Sequence, residues 1–447
     1  MTTALTELPL LESQMIAADH RSPWLTASGI ALVVTLIMAP LAFGAVQPWA
    51  WASLCVLSGG ALVLWAIGCA ATRCIRLVVS PMYAVLLLAL LLVAGQLVFG
   101  RTADPIGTRE SLIKLVAYST IFFLAGQLST DLPACAWRRL GFGIIGYVFA
   151  MAVFAIVQFF SNPHLIYWAV KPRWGGYVFG PYVNHNHYAG LLEVLLPLAI
   201  GAVLALPERH ALNLAGAFAV LIGLASVLLC GSRGGSIAVI AELAIFLAIL
   251  LTRASSESGR STILGAFTLA ALATALFVWL DPGSVLNRWE HTASAPEVAA
   301  ETRFTMAADS MRMLRSSLIS GVGAGAYEVA YPRYQSWVTD SVVDHAHNDY
   351  AELLAETGLA GGLLLLAFLC MFFCQALYKL RRRLVDAEGW MRTAAAIACC
   401  GLFIHSFTDF NLHIPANAAW FSAAAGLVAA VPVFGTDSHS AGAMHSA

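Results

Sequence analysis

The chain has 447 residues, 60% of them hydrophobic and 11% charged, with a mean hydropathy of +0.78. Soluble domains carry about 25% charged residues, so the composition excludes one and indicates a polytopic membrane protein. A net charge of −1 leaves no electrostatic footprint for nucleic acid, which is excluded as a partner.

Residues 1–22 are polar and too acidic for a cleaved leader, so the first span is expected to remain as an anchor. A bilayer demands about 20 apolar residues per helix. Twelve stretches satisfy this: 25–45, 49–69, 80–100, 110–128, 140–160, 182–205, 211–230, 234–252, 262–280, 359–378, 393–411 and 414–432. The fourth carries Lys114 and the sixth Glu193, and a charge at mid-helix has to face protein or water. The nine cysteines include no Cys-x-x-Cys pair and read as small hydrophobes, with no disulfide framework or zinc site. The expected class is therefore an all-α polytopic membrane protein with about twelve spans. Its divisions are a tail at 1–22, helices over 23–280, one large loop at 281–358, helices over 359–433 and a tail at 434–447.

Basic residues orient this arrangement. With the N-terminus in the cytoplasm, the inside segments hold thirteen, including the run Lys379-Leu-Arg-Arg-Arg, and the short outside segments hold six. The positive-inside rule then puts both ends in the cytoplasm and the 281–358 loop in the periplasm. The polar clusters around His185, Arg233 and His413 fall on the loop's side. Within the loop, Phe304, Ala307, Ala308, Met311, Leu314 and Leu318 recur at helical spacing, which predicts an amphipathic helix on the membrane surface or on the bundle. Tyr327, Tyr331, Tyr334 and Trp337 read as an interfacial aromatic belt, with sugar stacking as the other use of such rings.

Five segments carry polar groups suited to chemistry. They are Phe179-Gly-Pro-Tyr-Val-Asn184-His-Asn-His187-Tyr-Ala-Gly; Gly231-Ser-Arg233-Gly-Gly; Glu301-Thr-Arg303-Phe with Gly321-Val-Gly-Ala-Gly downstream; His345-Ala-His347-Asn348-Asp349; and the stretch from His405 through Asp409 and His413 to Asn417. Arginine grips phosphate bidentately and keeps its charge in a low-dielectric site. A sugar hydroxyl is a poor nucleophile, and histidine is its usual base. A helix beginning near Asp344 or Asn348 and ending at Gly358 would aim free N–H groups at an anion.

Taken in order and spacing, these segments resemble the O-antigen ligase and polymerase superfamily over about residues 175–430. The shared pattern is an arginine after a helix, an arginine early in a large loop, and a His-Asn pair ending that loop. The resemblance implies a GT-C-like bundle in the bacterial inner membrane. It also implies metal-independent, inverting transfer of a glycan from undecaprenyl diphosphate to a glycan or lipid A-core acceptor on the periplasmic side. Membrane lipids are its other partners, with no cofactor and no metal. Arg233 and Arg303 match the arginines that hold the diphosphate, and His347 matches the histidine at the acceptor hydroxyl. His345, Asn348, Asn184, His187 and Asp409 are the accompanying substrate-binding candidates. His345 and the Asn184-His-Asn-His run are additions to the pattern, and the choice of base between His345 and His347 stays open.

Plainer readings stand beside each. Arg233 suits a helix end at the headgroups, Arg303 a solvated helix face, and His347 a helix start satisfied by backbone. His345 and His347 share a face only in extended chain, and no third metal ligand is obvious. His185 and His187 suit structural polar contacts, Glu352 and Glu356 a solvated helix face, and Asp409 a capping or packing group. The rival function is a transporter or flippase for a polysaccharide or lipid-linked substrate. Such proteins place binding residues at the bilayer midplane, whereas here the polar mass lies on one side.

Overall fold

The structure is a computed structural model that describes residues 22–73, 77–130, 132–172, 177–206, 210–252, 300–340, 342–382 and 386–430. The expected span at 262–280, the start of the loop at 281–299 and most of both tails lie outside the described residues. Prolines open several of the helices, because a first-turn N–H has no helical partner to lose. These are α1 (Pro23–Leu41), α2 (Pro48–Thr72), α4 (Pro105–Ser129) and α13 (Pro415–Ala429). Between them run α3 (Met82–Val98), α5 (Ala134–Ser161), α6 (His185–Leu204), α7 (His210–Cys230), α8 (Arg233–Leu251), α9 (Ala300–Ser316), α10 (Tyr327–Ala330), α11 (Asp349–Arg382) and α12 (Ala387–His405). A helix stands at each expected span that falls on described residues. Eight are long and apolar enough to cross a membrane by length and composition. The chain is an all-α polytopic membrane protein.

Helix α6 is the axis of the bundle. It packs against α5, α7, α8 and α12, and 83% of its apolar window is buried inside the protein. In the outer helices α2 and α5 that share is 28%, and side chains such as Val56 and Val157 face outward. A protein-covered helix can hold what a lipid-facing one cannot, which is why Glu193 is tolerated in mid-α6. Lys114 is reconciled differently, resting over the Trp51 ring at 5.0 Å and pairing with Glu110 at 3.8 Å.

The helix α11 is two segments in one. Gly358 breaks it at φ 65° and ψ −163°, a conformation open in practice to glycine alone. A Cβ there would come within 2.4 Å of the Ile319 backbone. The first segment, from Asp349 to the break, belongs to the loop. The second, from Leu359 onward, is the span expected at 359–378. Gln96 of α3 fastens the junction, donating to the carbonyls of Ser320 and Glu356 and accepting from the Ala324 N–H.

Three expectations for the loop are corrected. The stripe chosen for α9 is not the packed one: Phe304, Ala308 and Leu318 are exposed, and Ala307, Met311 and Leu314 are half-buried. The buried stripe is Met306, Asp309, Ser310 and Met313. Asp309 is affordable inside because the Tyr331 hydroxyl, the Ser336 N–H and the Arg312 guanidinium all donate to it. Second, Tyr327 and Tyr331 are not a membrane belt. They stack at 5.1 Å in a small core with Met306 and Met313, with Tyr334 and Trp337 against it. Third, Glu352 and Glu356 do not lie on a solvated face, since both are buried.

Candidate active site

Five elements meet at one end of the bundle: the starts of α6, α8 and α11, the end of α12, and the connection from α12 to α13. The join is tight at Gly234, where a Cβ would fall 2.5 Å from the His405 ring and 2.6 Å from the Thr408 hydroxyl. Glycine lets the first turn of α8, which bears Arg233, press against this connection.

His347 sits in the left-handed region at φ 48°, a conformation uncommon outside glycine and enriched for histidine among the rest. Its Nδ1 lies 3.2 Å from Asp409 Oδ1. Burial alone would raise the Asp409 pKa. The His347 hydrogen bond and charge, helped by His187 and Arg303, instead hold its carboxyl far below the usual range. Arg303 reaches from α9 and donates through Nη1 to the Thr408 carbonyl at 2.7 Å. Its Nε is buried with no partner among the described residues. His187 Nε2 lies 3.9 Å from Asp409 Oδ1. Phe410 separates the imidazoles: His187 and His347 meet it edge-on at 4.7 and 4.9 Å, and His345 stacks on it at 4.2 Å.

A second cluster lies across that ring. His345 Nδ1 is 2.7 Å from Glu352 Oε1, and His413 Nε2 is 3.3 Å from the same oxygen. The other nitrogen of His413, Nδ1, is 2.8 Å from Asp349 Oδ1. Burial pulls both imidazoles down, but the facing carboxylates outweigh it: His345 is raised by Glu352, and His413, between Glu352 and Asp349, is raised to about 10. Deeper in the bundle, His405 Nδ1 pairs with Glu193 Oε1 at 2.7 Å, both side chains fully buried.

The sequence candidates thus divide. His347, Arg303, Asp409 and His187 come together, with Arg233 beside them in the chain next to Gly234. His345 turns to Glu352 instead. Asn348 is committed to structure: its Oδ1 caps α11 through the N–H groups of Tyr350 and Ala351, and its Nδ2 donates to Phe407 O. Asn184 caps α6 in the same way. The start of α11 does not aim free N–H groups at an anion, because the Asp349 N–H donates to Ser406 O and the next two are capped. Sequence reasoning missed Glu352 as a partner of His345 and His413. The signal was present, as Glu352 follows His345 by one turn of loop and one of helix, but a carboxylate pair at i, i+4 looks the same when solvated.

The family comparison reads on this same end. Residues 218–366 match the O-antigen ligase family model. The match supports the O-antigen ligase and polymerase superfamily. It spans about a third of the chain and takes in Arg233, Arg303, His345, His347 and Asn348, while His187 and Asp409 lie outside it. An O-antigen ligase-type match supports a membrane enzyme of ligase or polymerase kind and implies lipid-linked glycans as substrates. A comparison with curated proteins finds no match.

Proposed function

We propose that the protein is an inner-membrane glycosyltransferase of O-antigen ligase or polymerase type, moving a glycan from undecaprenyl diphosphate to an acceptor hydroxyl on the periplasmic side. The observation that carries the reading is the His347–Asp409 pair within reach of the Arg303 guanidinium. With Nδ1 turned to Asp409, His347 offers Nε2 to the acceptor. The acceptor oxygen gives its proton to Nε2 and bonds the anomeric carbon, and the bond from that carbon to the diphosphate oxygen breaks. Attack opposite the leaving group inverts the anomeric centre. Asp409 stabilises the imidazolium that forms. The departing diphosphate keeps its electron pair and negative charge, which the guanidinium groups of Arg303 and Arg233 would balance. The two guanidinium groups supply the cations, so transfer is metal-independent. The acceptor is a further glycan repeat or lipid A-core.

Donor binding and single-turnover rate measured on the same purified variants test this. Arg303→Ala should weaken donor binding by about 10- to 150-fold, the loss of one charge-assisted contact of about 1.5–3 kcal/mol. His347→Ala should preserve donor binding and slow turnover by about 10²–10⁴-fold. Normal turnover in His347→Ala, with His345→Ala inactive, would reassign the base.

A further inference from the structure

The glycosyl-transfer reading leaves the cluster on the far side of Phe410 without a task. We propose that His345 Nδ1, Glu352 Oε1 and His413 Nε2 bind one divalent transition-metal ion of the zinc class, at a site separate from the His347–Asp409 pair. The three ligand atoms lie within 4.8 Å of one another. Tetrahedral zinc, with bonds of about 2.0–2.1 Å, sets its ligands about 3.4 Å apart. The 3.3 Å between His413 Nε2 and Glu352 Oε1 already meets that spacing. The 2.7 Å between His345 Nδ1 and the same oxygen has to open by about 0.7 Å, which a small rotation of either side chain provides.

The surroundings of the three ligands limit how far each can turn. His413 Nδ1 is engaged by Asp349 Oδ1, and Asp349 Oδ2 accepts from the Ser406 hydroxyl and the Leu412 N–H. A carboxylate on the far nitrogen of a ligating histidine fixes its tautomer and aims the near one. Glu352 Oε2 accepts from the Ala346 N–H, which leaves Oε1 for the ion. The His345 ring is pinned flat on Phe410. Glu352 is buried, while both histidines keep a quarter of their side-chain surface open, at 27%. Two imidazoles and one carboxylate favour zinc and its neighbours over magnesium or calcium, which take all-oxygen shells.

The ion would join the loop at His345, the first segment of α11 and the turn before α13. It would stiffen the turn that presents His347, two residues on, without entering the transfer chemistry. The competing account of the geometry is an imidazolium of His413 held between Glu352 and Asp349, with no ion.

The test uses the full-length protein without an affinity tag, purified in detergent and dialysed against chelator, then titrated calorimetrically with zinc chloride and, separately, magnesium chloride. The expected result is saturation at one zinc per chain, a higher thermal midpoint with zinc than without, and no response to magnesium. His345→Gln and Glu352→Gln should each abolish the response. Asp349→Asn, which keeps all three ligands, should weaken it by about 10- to 100-fold. A second measurement does not depend on the stability of those variants: X-ray absorption at the zinc edge of the loaded wild type, with two imidazoles and an oxygen shell expected. No saturable zinc binding, binding unchanged in both glutamine variants, or a sulfur-containing shell overturns the site. In the first case the His413 imidazolium pair stands instead. Turnover in the chelated sample separates this inference from the proposed reaction. Retained turnover fits both; turnover lost with chelator and restored by a divalent ion overturns metal independence of transfer and leaves the site itself to the titration.

Discussion

At the scale of single residues, the site depends on what Asp409 does to His347. The carboxylate is fully buried and its Oδ2 has no partner among the described residues. Such a charge is tolerated only beside compensating groups, and here they are the His347 imidazole, His187 and Arg303. An asparagine at this position would keep a hydrogen-bonding oxygen and lose the charge. Asp409→Asn is therefore expected to lower the single-turnover rate by about 10²-fold or more while leaving the donor KM unchanged, because the lost interaction matters only once His347 is protonated. A fall in donor affinity with an unchanged rate would place Asp409 on the substrate rather than on the base. His347 itself adopts a left-handed backbone. Strain of this kind costs on the order of 1–3 kcal/mol and persists only where neighbours over-determine it, which Asp409 and the capped start of α11 do.

At the scale of elements, the loop is a small folded unit whose attachment runs through one glycine and one carboxylate. Gly358 turns α11 from loop helix to membrane span. Gly358→Ala is expected to destabilise the protein by about 1–3 kcal/mol or more and to misplace Glu352, read as a lowered thermal midpoint in detergent together with reduced turnover. An unchanged midpoint would mean that α11 reaches its bend by another route. Inside the loop, Tyr331 titrates against its surroundings. Burial, and then the Asp309 carboxylate that its hydroxyl donates to, push it up to about 12 against the opposing Trp337 N–H. The folded value lies above the ordinary value of about 10. Its contribution to stability is thus complete below pH about 10 and is lost as pH rises through about 12. Protease cleavage within 327–340 should rise across that window and stay flat from neutral pH to about 9. Asp309→Ala, which strands the Tyr331 hydroxyl and the Ser336 N–H, should make the same cleavage fast already at neutral pH.

At the scale of the whole molecule, one helix organises both the bundle and the site. α6 is surrounded by protein, so it can hold Glu193 against His405 in mid-bundle, and its start delivers His187 to the site. The proposed reaction needs that end of the bundle to face the periplasm, which rests on the excess of basic residues at the other side. Val338 is the natural reporter, since it is almost wholly exposed at 96%. Val338→Cys should react with a membrane-impermeant maleimide in intact cells above the background of the native cysteines. Labelling only after lysis would reverse the orientation and put the site in the wrong compartment.

The class of molecule and the position of nearly every span on described residues were legible in the unfolded chain, because apolar length is a local property and a bilayer imposes it. The chain also offered Arg303 and His347 as candidates through their match to the family pattern, with Asp409 beside them as a substrate-binding candidate or a capping group. It placed the end of the loop helix at Gly358, where local backbone geometry is decisive. Which partners those groups find depends on how the helices pack. The stripe of α9 was misread because hydrophobicity alone selects a face, whereas the buried face is built around Asp309 and its three donors. The tyrosines of 327–331 read as a membrane belt because an aromatic cluster has the same composition in a belt and in a core. Glu352 read as solvated because a carboxylate pair at i, i+4 looks the same in water, and because its second partner, His413, arrives from a turn sixty residues on. Burial and long-range pairing set those roles, and both exist only after the helices have packed.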